Sequence, residues 1–142
     1  MSVNMSQAER DAFLAGVHVG VLTVTAGDGR GPLAAPVWYS YRPGGPISVM
    51  TGGTTKKARA IAAAGRFSLC AQDEAPPYKY VTVEGPAAIE PAGLPERAAL
   101  ARRYLGTEEG DAWTAADTGT GYVMLRMTPE HWLSADFSKD AD

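Results

Sequence analysis

Residues 47–64 read ISVMTGGTTKKARAIAAA, and the change of period inside them decides the fold. Ile47, Val49 and Thr51 alternate with Ser48 and Met50, the two-residue repeat of a strand that lays one face on a core. At Gly52 and Gly53 the alternation stops. From Thr54 to Ala64 the apolar residues Ala58, Ile61 and Ala62 recur at helical spacing, and Gly65 follows as a C-cap. Residues 67–72 (FSLCAQ) then return to a strand, so a short helix is set between two strands of a β protein.

Toward the N-terminus, residues 17–25 (VHVGVLTVT) and 33–41 (LAAPVWYSY) read as strands joined by the turn at Gly27, Asp28 and Gly29. With residues 47–51 they form a three-stranded antiparallel meander. Ser6 and Glu9 have the spacing of a capping box, so a helix opens the chain and Gly16 ends it. Toward the C-terminus, the acidic, Pro-containing loop 73–77 leads into 78–89 (YKYVTVEGPAAI), a long strand with a bend or bulge at Gly85 and Pro86. Pro91 and Pro95 break the chain. Residues 96–105 and 108–116 read as helices and 122–127 (YVMLRM) as the last strand, extending to Leu133, with a frayed tail from Ser134. About six strands, mostly antiparallel, with interposed helices and no repeat predict one domain over residues 1–142. Its class is mainly β with peripheral helices, a small six-stranded antiparallel barrel.

Composition narrows the function. The 142 residues are 45% hydrophobic and 20% charged, enough to bury a core and too apolar for a disordered chain. Cys70 is the one cysteine, which excludes an internal disulfide and a zinc site built from several thiolates. No apolar run nears the roughly 18 residues of a membrane span, and residues 1–10 lack the basic-then-apolar order of a signal peptide. A cytoplasmic protein without membrane contact is expected.

The net charge of -3 is unevenly spread. Between Gly29 and Gln72 there is no acid, but there are six bases, Arg30, Arg42, Lys56, Lys57, Arg59 and Arg66; residues 73–142 hold 13 acids against six bases. A local basic block in an acidic chain suits a small anionic ligand better than a nucleic acid. An RNA-binding barrel is therefore the least favoured class. Lys56, Lys57 and Arg59 fall at a helix start, where cations oppose the dipole by roughly 0.3–1 kcal/mol each. A bound anion reverses that cost, since helix N-termini with hydroxyls and bases cradle phosphate. The ring-rich strand Val37, Trp38, Tyr39 and Tyr41 lies next to this block, Trp38 pointing opposite to Tyr39 and Tyr41.

Three runs in this order, VLTVTAGDGRGPLAAPVWYSY (21–41), GGPISVMTGGTTKKARAI (44–61) and RFSLCAQDEAPPYKYVTVEGPAAI (66–89), resemble the split-barrel flavin and deazaflavin oxidoreductases related to pyridoxamine 5'-phosphate oxidase. HWLSADFSKD (131–140) also fits. The chain is most similar to the short actinobacterial type, many of which use the deazaflavin coenzyme F420 while others use FMN. The resemblance implies a six-stranded split barrel, a homodimer, and one F420 or FMN per groove at the dimer interface. It implies that Thr55, Lys56, Lys57 and Arg59 hold the cofactor phosphate. Val37, Trp38, Tyr39, Val49, Met50 and Thr51 would neighbour the ring, with Gln72 and Tyr78 near the partner subunit's cofactor. Arg30 or Arg42 would suit the acidic tail of F420.

Pyridoxamine phosphate oxidases end in a basic Arg-x-His pattern. Here Arg126 is followed by Met127 and Thr128, so vitamin B6 oxidation is not expected. The implied reaction is hydride transfer to a small unsaturated substrate, with the difficult chemistry on the cofactor ring. No catalytic side chain and no metal are then needed. His18 and His131 read as structural or surface residues, Cys70 as a small core residue, and Asp73 and Glu74 as a solvated loop. The alternative on the same fold is a non-enzymatic carrier or sensor of FMN, haem or a tetrapyrrole.

Overall fold

A computed structural model describes residues 2–117 and 121–140. Its elements are α1 (Gln7–Ala15), β1 (Gly20–Val24), β2 (Leu33–Val37), β3 (Tyr39–Ser40), β4 (Ile47–Gly52), α2 (Lys56–Ala64), β5 (Arg66–Gln72), β6 (Lys79–Pro91), α3 (Leu94–Leu105), α4 (Thr107–Ala116), β7 (Tyr122–Met127) and β8 (His131–Asp136), closed by a 3-10 turn at Phe137–Asp140. The capping box at α1 is formed: Glu9 N donates to Ser6 Oγ and Ser6 N donates to the Glu9 carboxylate.

The strands pair antiparallel in the order β2, β1, β5, β6, β7, β4, β3. The two ends of that path, β2 and β3, are consecutive in the chain and separated by Trp38 alone. The expected strand 33–41 thus serves both edges, β2 on β1 and β3 on β4, and the path closes on itself. The expected three-stranded meander is present, its middle strand divided at Trp38 into a part on β1 and a part on β4. Counted as ribbons, six strands form the ring, a split barrel, and β8 lies outside it on the first half of β6.

β6 makes this possible by bending. Residues 80–86 pair with β5 and residues 87–91 with β7. At the bend Gly85 lies so close to the Thr128 carbonyl that a Cβ would overlap it. Thr128 N donates to Pro86 O at 2.9 Å and Glu130 N to Glu84 O at 2.8 Å, so the β7–β8 connection runs on along the same edge of β6 as a bulge, pressed against the residue that has no side chain.

The C-terminal segment departs from expectation. It does not fray at Ser134: Ser134, Ala135 and Asp136 are buried, Arg10 Nε donates to Ser134 Oγ at 2.8 Å, and Asp136 N donates to Val3 O at 2.8 Å. β8 gains its stability by pairing with β6, a partner remote in sequence. Leu14, Leu22, Tyr39, Ile47, Val49, Ile61, Leu69, Val81, Val83, Leu125 and Met127 fill the barrel and its ends. Each fully buried aliphatic side chain contributes roughly 1.5–3 kcal/mol. Among the described residues no helix is long and apolar enough to cross a membrane.

Candidate functional site

β4 ends at Gly52, and the chain turns into α2 through Gly53 and Thr54. Gly53 N donates to Gly121 O at 2.6 Å, which pins this turn to the start of β7. Thr55 is the N-cap: its hydroxyl accepts from Ala58 N at 3.2 Å and donates to Gly52 O at 2.9 Å, with Thr51 Oγ1 at 3.4 Å. The Thr55 side chain is thereby engaged in shaping the turn. Lys56 and Lys57 open the first turn, whose amides have no intrahelical acceptor, and Arg59 follows on the next. That turn holds no acid. Among the described residues none of Lys56, Lys57 and Arg59 has a carboxylate within 4.0 Å, and the same holds for Arg10, Arg30, Arg42 and Arg103, whereas Arg66, Lys79, Arg97, Arg102, Arg126 and Lys139 are paired; the α2 bases differ in lying within four residues of one another at a helix start. Lys56 and Arg59 are exposed and Lys57 is half-buried. The Ala58 amide and the Thr55 hydroxyl are used in the cap itself, which leaves the three bases and the Lys56 and Lys57 end of the turn without an acidic partner in the helix start.

Of the expected ring neighbours, Tyr39 and Val49 are fully buried and pair across β3 and β4. Their side chains belong to the core, as those of Val37 and Thr51 largely do. The Tyr39 hydroxyl donates to Leu14 O at 2.7 Å, and burial, with Tyr104 nearby, pushes its pKa well above the usual value of a phenol. Trp38 and Met50 instead point away from the core and are half-exposed. Trp38 lies against rings that the sequence did not single out. Tyr104 of α3 stacks on it at 5.1 Å with 4° between planes, Trp113 of α4 meets it at 6.0 Å and 55°, and Trp113 in turn meets Tyr122 at 6.1 Å and 57°. Tyr122 pairs with Gly52, so this aromatic run begins beside the turn that caps α2. A lone Trp in the otherwise small and acidic TEEGDAWTAA of α4 was the available signal.

Other expected residues lie apart from this cluster. Arg42 sits beyond the start of β4, while α2 follows its end, roughly 17 Å away at strand spacing. Gln72 ends β5 and Tyr78 precedes β6, at the far end of these strands from Arg66 and the C-terminus of α2. Within one chain neither meets the α2 turn. Cys70 is not a core residue: it is half-buried on the outer face of β5, between Val21 and Thr82 on the neighbouring strands. His18 is structural, its ring stacked on Phe13 at 4.3 Å, and His131 is exposed. Among the described residues no three His, Cys, Asp or Glu side chains form a metal cluster.

Two clefts of about 700 and 780 Å³ flank the 43–46 turn; Arg42, expected at the acidic tail of F420, lines the first, and none of the residues expected at the cofactor phosphate or ring lines either. Arg126, which borders the second, is fully engaged. It donates to both oxygens of Glu96 at 2.7 Å, to Ser48 Oγ at 3.0 Å and to Glu90, and these carboxylates, Glu96 foremost, raise its pKa. It is not available to a substrate phosphate.

No family model matches the sequence, and no curated protein matches it. Solved structures do. A conserved hypothetical protein from Mycobacterium tuberculosis is 24% identical over 99% of this chain and 91% of that one, with a TM-score of 0.81. A protein described as an F420 reductase is 22% identical over 87% of this chain and 94% of its own, TM-score 0.72. A putative pyridoxamine 5'-phosphate oxidase from Listeria innocua is 16% identical over 90% of this chain and 96% of its own, TM-score 0.68. Other proteins of similar structure are described as FAD-binding and heme binding. The fold is that of the pyridoxamine 5'-phosphate oxidase-like split barrels, and a fold of this breadth does not by itself choose among those ligands.

Proposed function

We propose that this split barrel is an F420- or FMN-dependent oxidoreductase that transfers a hydride to a small, planar, unsaturated substrate, and that it works as a homodimer. The observation that carries the reading is the acid-free first turn of α2, with Lys56, Lys57 and Arg59 free of carboxylate partners among the described residues. F420 and FMN both join a flat ring to a phosphate, and the site offers bases at α2 and aromatic surface at Trp38. Each charge-assisted hydrogen bond to a phosphate contributes roughly 1.5–3 kcal/mol.

The bound cofactor supplies the hydride chemistry. The chain's own residues bind, orient and exclude water: Lys56, Lys57 and Arg59 hold the phosphate, Trp38 and Met50 present apolar surface to the ring, and α3 with α4 shields that side of the barrel. Pro36, Val21, Cys70, Thr82 and Leu133 form one cross-strand row on the outer face of β2, β1, β5, β6 and β8. Val21 and Leu133 are 39% and 62% exposed there, and this apolar row is the surface we assign to the second copy.

The test is to incubate the protein with reduced F420, and separately with reduced FMN, and a panel of unsaturated acceptors, following the cofactor's absorbance. Oxidation of either cofactor that depends on an acceptor supports the reading. Tight cofactor binding with no acceptor reduced would make the protein a carrier or sensor instead.

A further inference from the structure

We infer that Trp113 is a specificity-determining residue, one wall of an aromatic corner that receives the flat ring of the ligand held at α2. The inference rests on the cofactor reading above. α4 gives the core almost nothing: its one buried residue is Gly110, where a Cβ would stand 2.7 Å from the Arg102 backbone and 2.9 Å from that of Ala101. The helix is thus pressed on α3 through a residue with no side chain. Its single large apolar group, Trp113, meets Trp38 and Tyr122.

Tyr104 and Trp38 are parallel, 4° apart, and cover one another. Trp113 meets Trp38 and Tyr122 in tilted contacts, inclined 55° and 57° with centroids 6.0 and 6.1 Å apart, and all three rings are half-buried, so each keeps part of its surface open. Half-exposed rings so arranged offer π surface to a planar conjugated ligand. The corner is also in register with the anion site. Tyr122 is the cross-strand partner of Gly52, and Gly52 O accepts from Thr55 N at 3.2 Å in the turn that caps α2. A molecule with a phosphate on Lys56 and Lys57 would therefore have its flat end beside Tyr122, Trp113 and Trp38.

The two halves of the site can be separated by probes with and without phosphate. Fluorescence titrations with FMN and riboflavin, and with F420 and its phosphate-free deazaflavin chromophore, are compared for the native protein, Trp113→Ala, Trp113→Phe and Lys57→Ala. Trp113→Ala is expected to weaken the phosphate-containing and phosphate-free probes alike by tenfold or more, with Trp113→Phe within threefold of native. Lys57→Ala is expected to weaken only the phosphate-containing probes. Should Trp113→Ala unfold α4, seen as lost helical circular dichroism, Trp113→Leu keeps an apolar side chain at the position and is judged by the same thresholds. Binding of both probe types within twofold of native in the Ala or Leu variant overturns the role of Trp113 and leaves the cofactor reading standing. A native protein that binds none of the four probes overturns both.

Discussion

Tyr104 lies flat on Trp38 while its hydroxyl donates to His18 O at 2.6 Å and accepts from Tyr39 N at 3.0 Å. Arg103 beside it donates to Ala15 O, Gly16 O and Tyr39 O at 3.1, 2.7 and 3.1 Å. At Trp38 the strand leaves β1 for β4, and the ladder bonds of one edge cannot continue. Two consecutive side chains of α3 supply the missing partners, so the helix that shields Trp38 is also what closes the barrel there.

Tyr104→Phe keeps the ring on Trp38 but removes the acceptor for Tyr39 N and the donor to His18 O. Leaving such part-buried groups unpaired costs about 1–3 kcal/mol. Urea unfolding should show a lower midpoint with an unchanged slope. A midpoint equal to that of the native protein would mean that α3 does not anchor the strand switch.

Acid should release the junction of the two chain ends. The Lys139 ammonium first, then the Ser6 amide and hydroxyl, hold Glu9 at a pKa of about 2, against an ordinary 4.5. A carboxylate whose pKa is depressed on folding stabilises above its unfolded value, and that contribution is lost as pH falls from 4.5 toward 2. Tyr41 gives the alkaline counterpart: burial, with the Asp11 hydrogen bond second, raises it to about 12, so its contribution is present below pH 10 and lost between 10 and 12. Melting temperatures across pH should fall in both windows. Glu9→Gln should flatten the acid fall and Tyr41→Phe the alkaline one.

Gly85→Ala places a methyl group on the Thr128 carbonyl at the bend of β6. Overpacking against backbone costs typically about 1–3 kcal/mol. Chemical unfolding of this variant should show at least that loss, and an unaltered midpoint would show that the bulge of residues 128–130 on the edge of β6 is not held tightly.

The two carboxylates and the hydroxyl around Arg126 predict a functional absence. Pyridoxine and pyridoxamine 5'-phosphates should not be oxidised, as judged by peroxide and aldehyde formation with FMN supplied. Turnover of either would show that Arg126 exchanges Glu96 for a substrate phosphate.

The sequence made α2 and its bases legible because their signals are local: a glycine pair, a Thr cap, a glycine stop and a run of cations with no acid. The split barrel itself was legible through resemblance, since the ring closure depends on Trp38 dividing one strand between two edges, a tertiary event with no period of its own. Ser134 to Asp136 looked like a tail because the partner that orders them, Tyr80 with its neighbours on β6, is remote in sequence. Alternation separated Trp38 from Tyr39 and Tyr41 but could not say which side was the core. Tyr104, Trp113 and Tyr122 escaped notice because each sits on a different element, and only packing of α3 and α4 on the barrel brings them to Trp38.

The central claim is that the first turn of α2 binds the phosphate of a flavin-type cofactor. Its most direct measurement is the affinity of the native protein, Lys57→Ala and the Lys56→Ala/Lys57→Ala double variant for FMN and for F420, read by fluorescence. The account predicts binding of at least one cofactor by the native protein, weakened about tenfold or more by Lys57→Ala, on the order of the one charge-assisted bond lost, and further by the double change, with the fold intact. Equal affinity in all three proteins would contradict it.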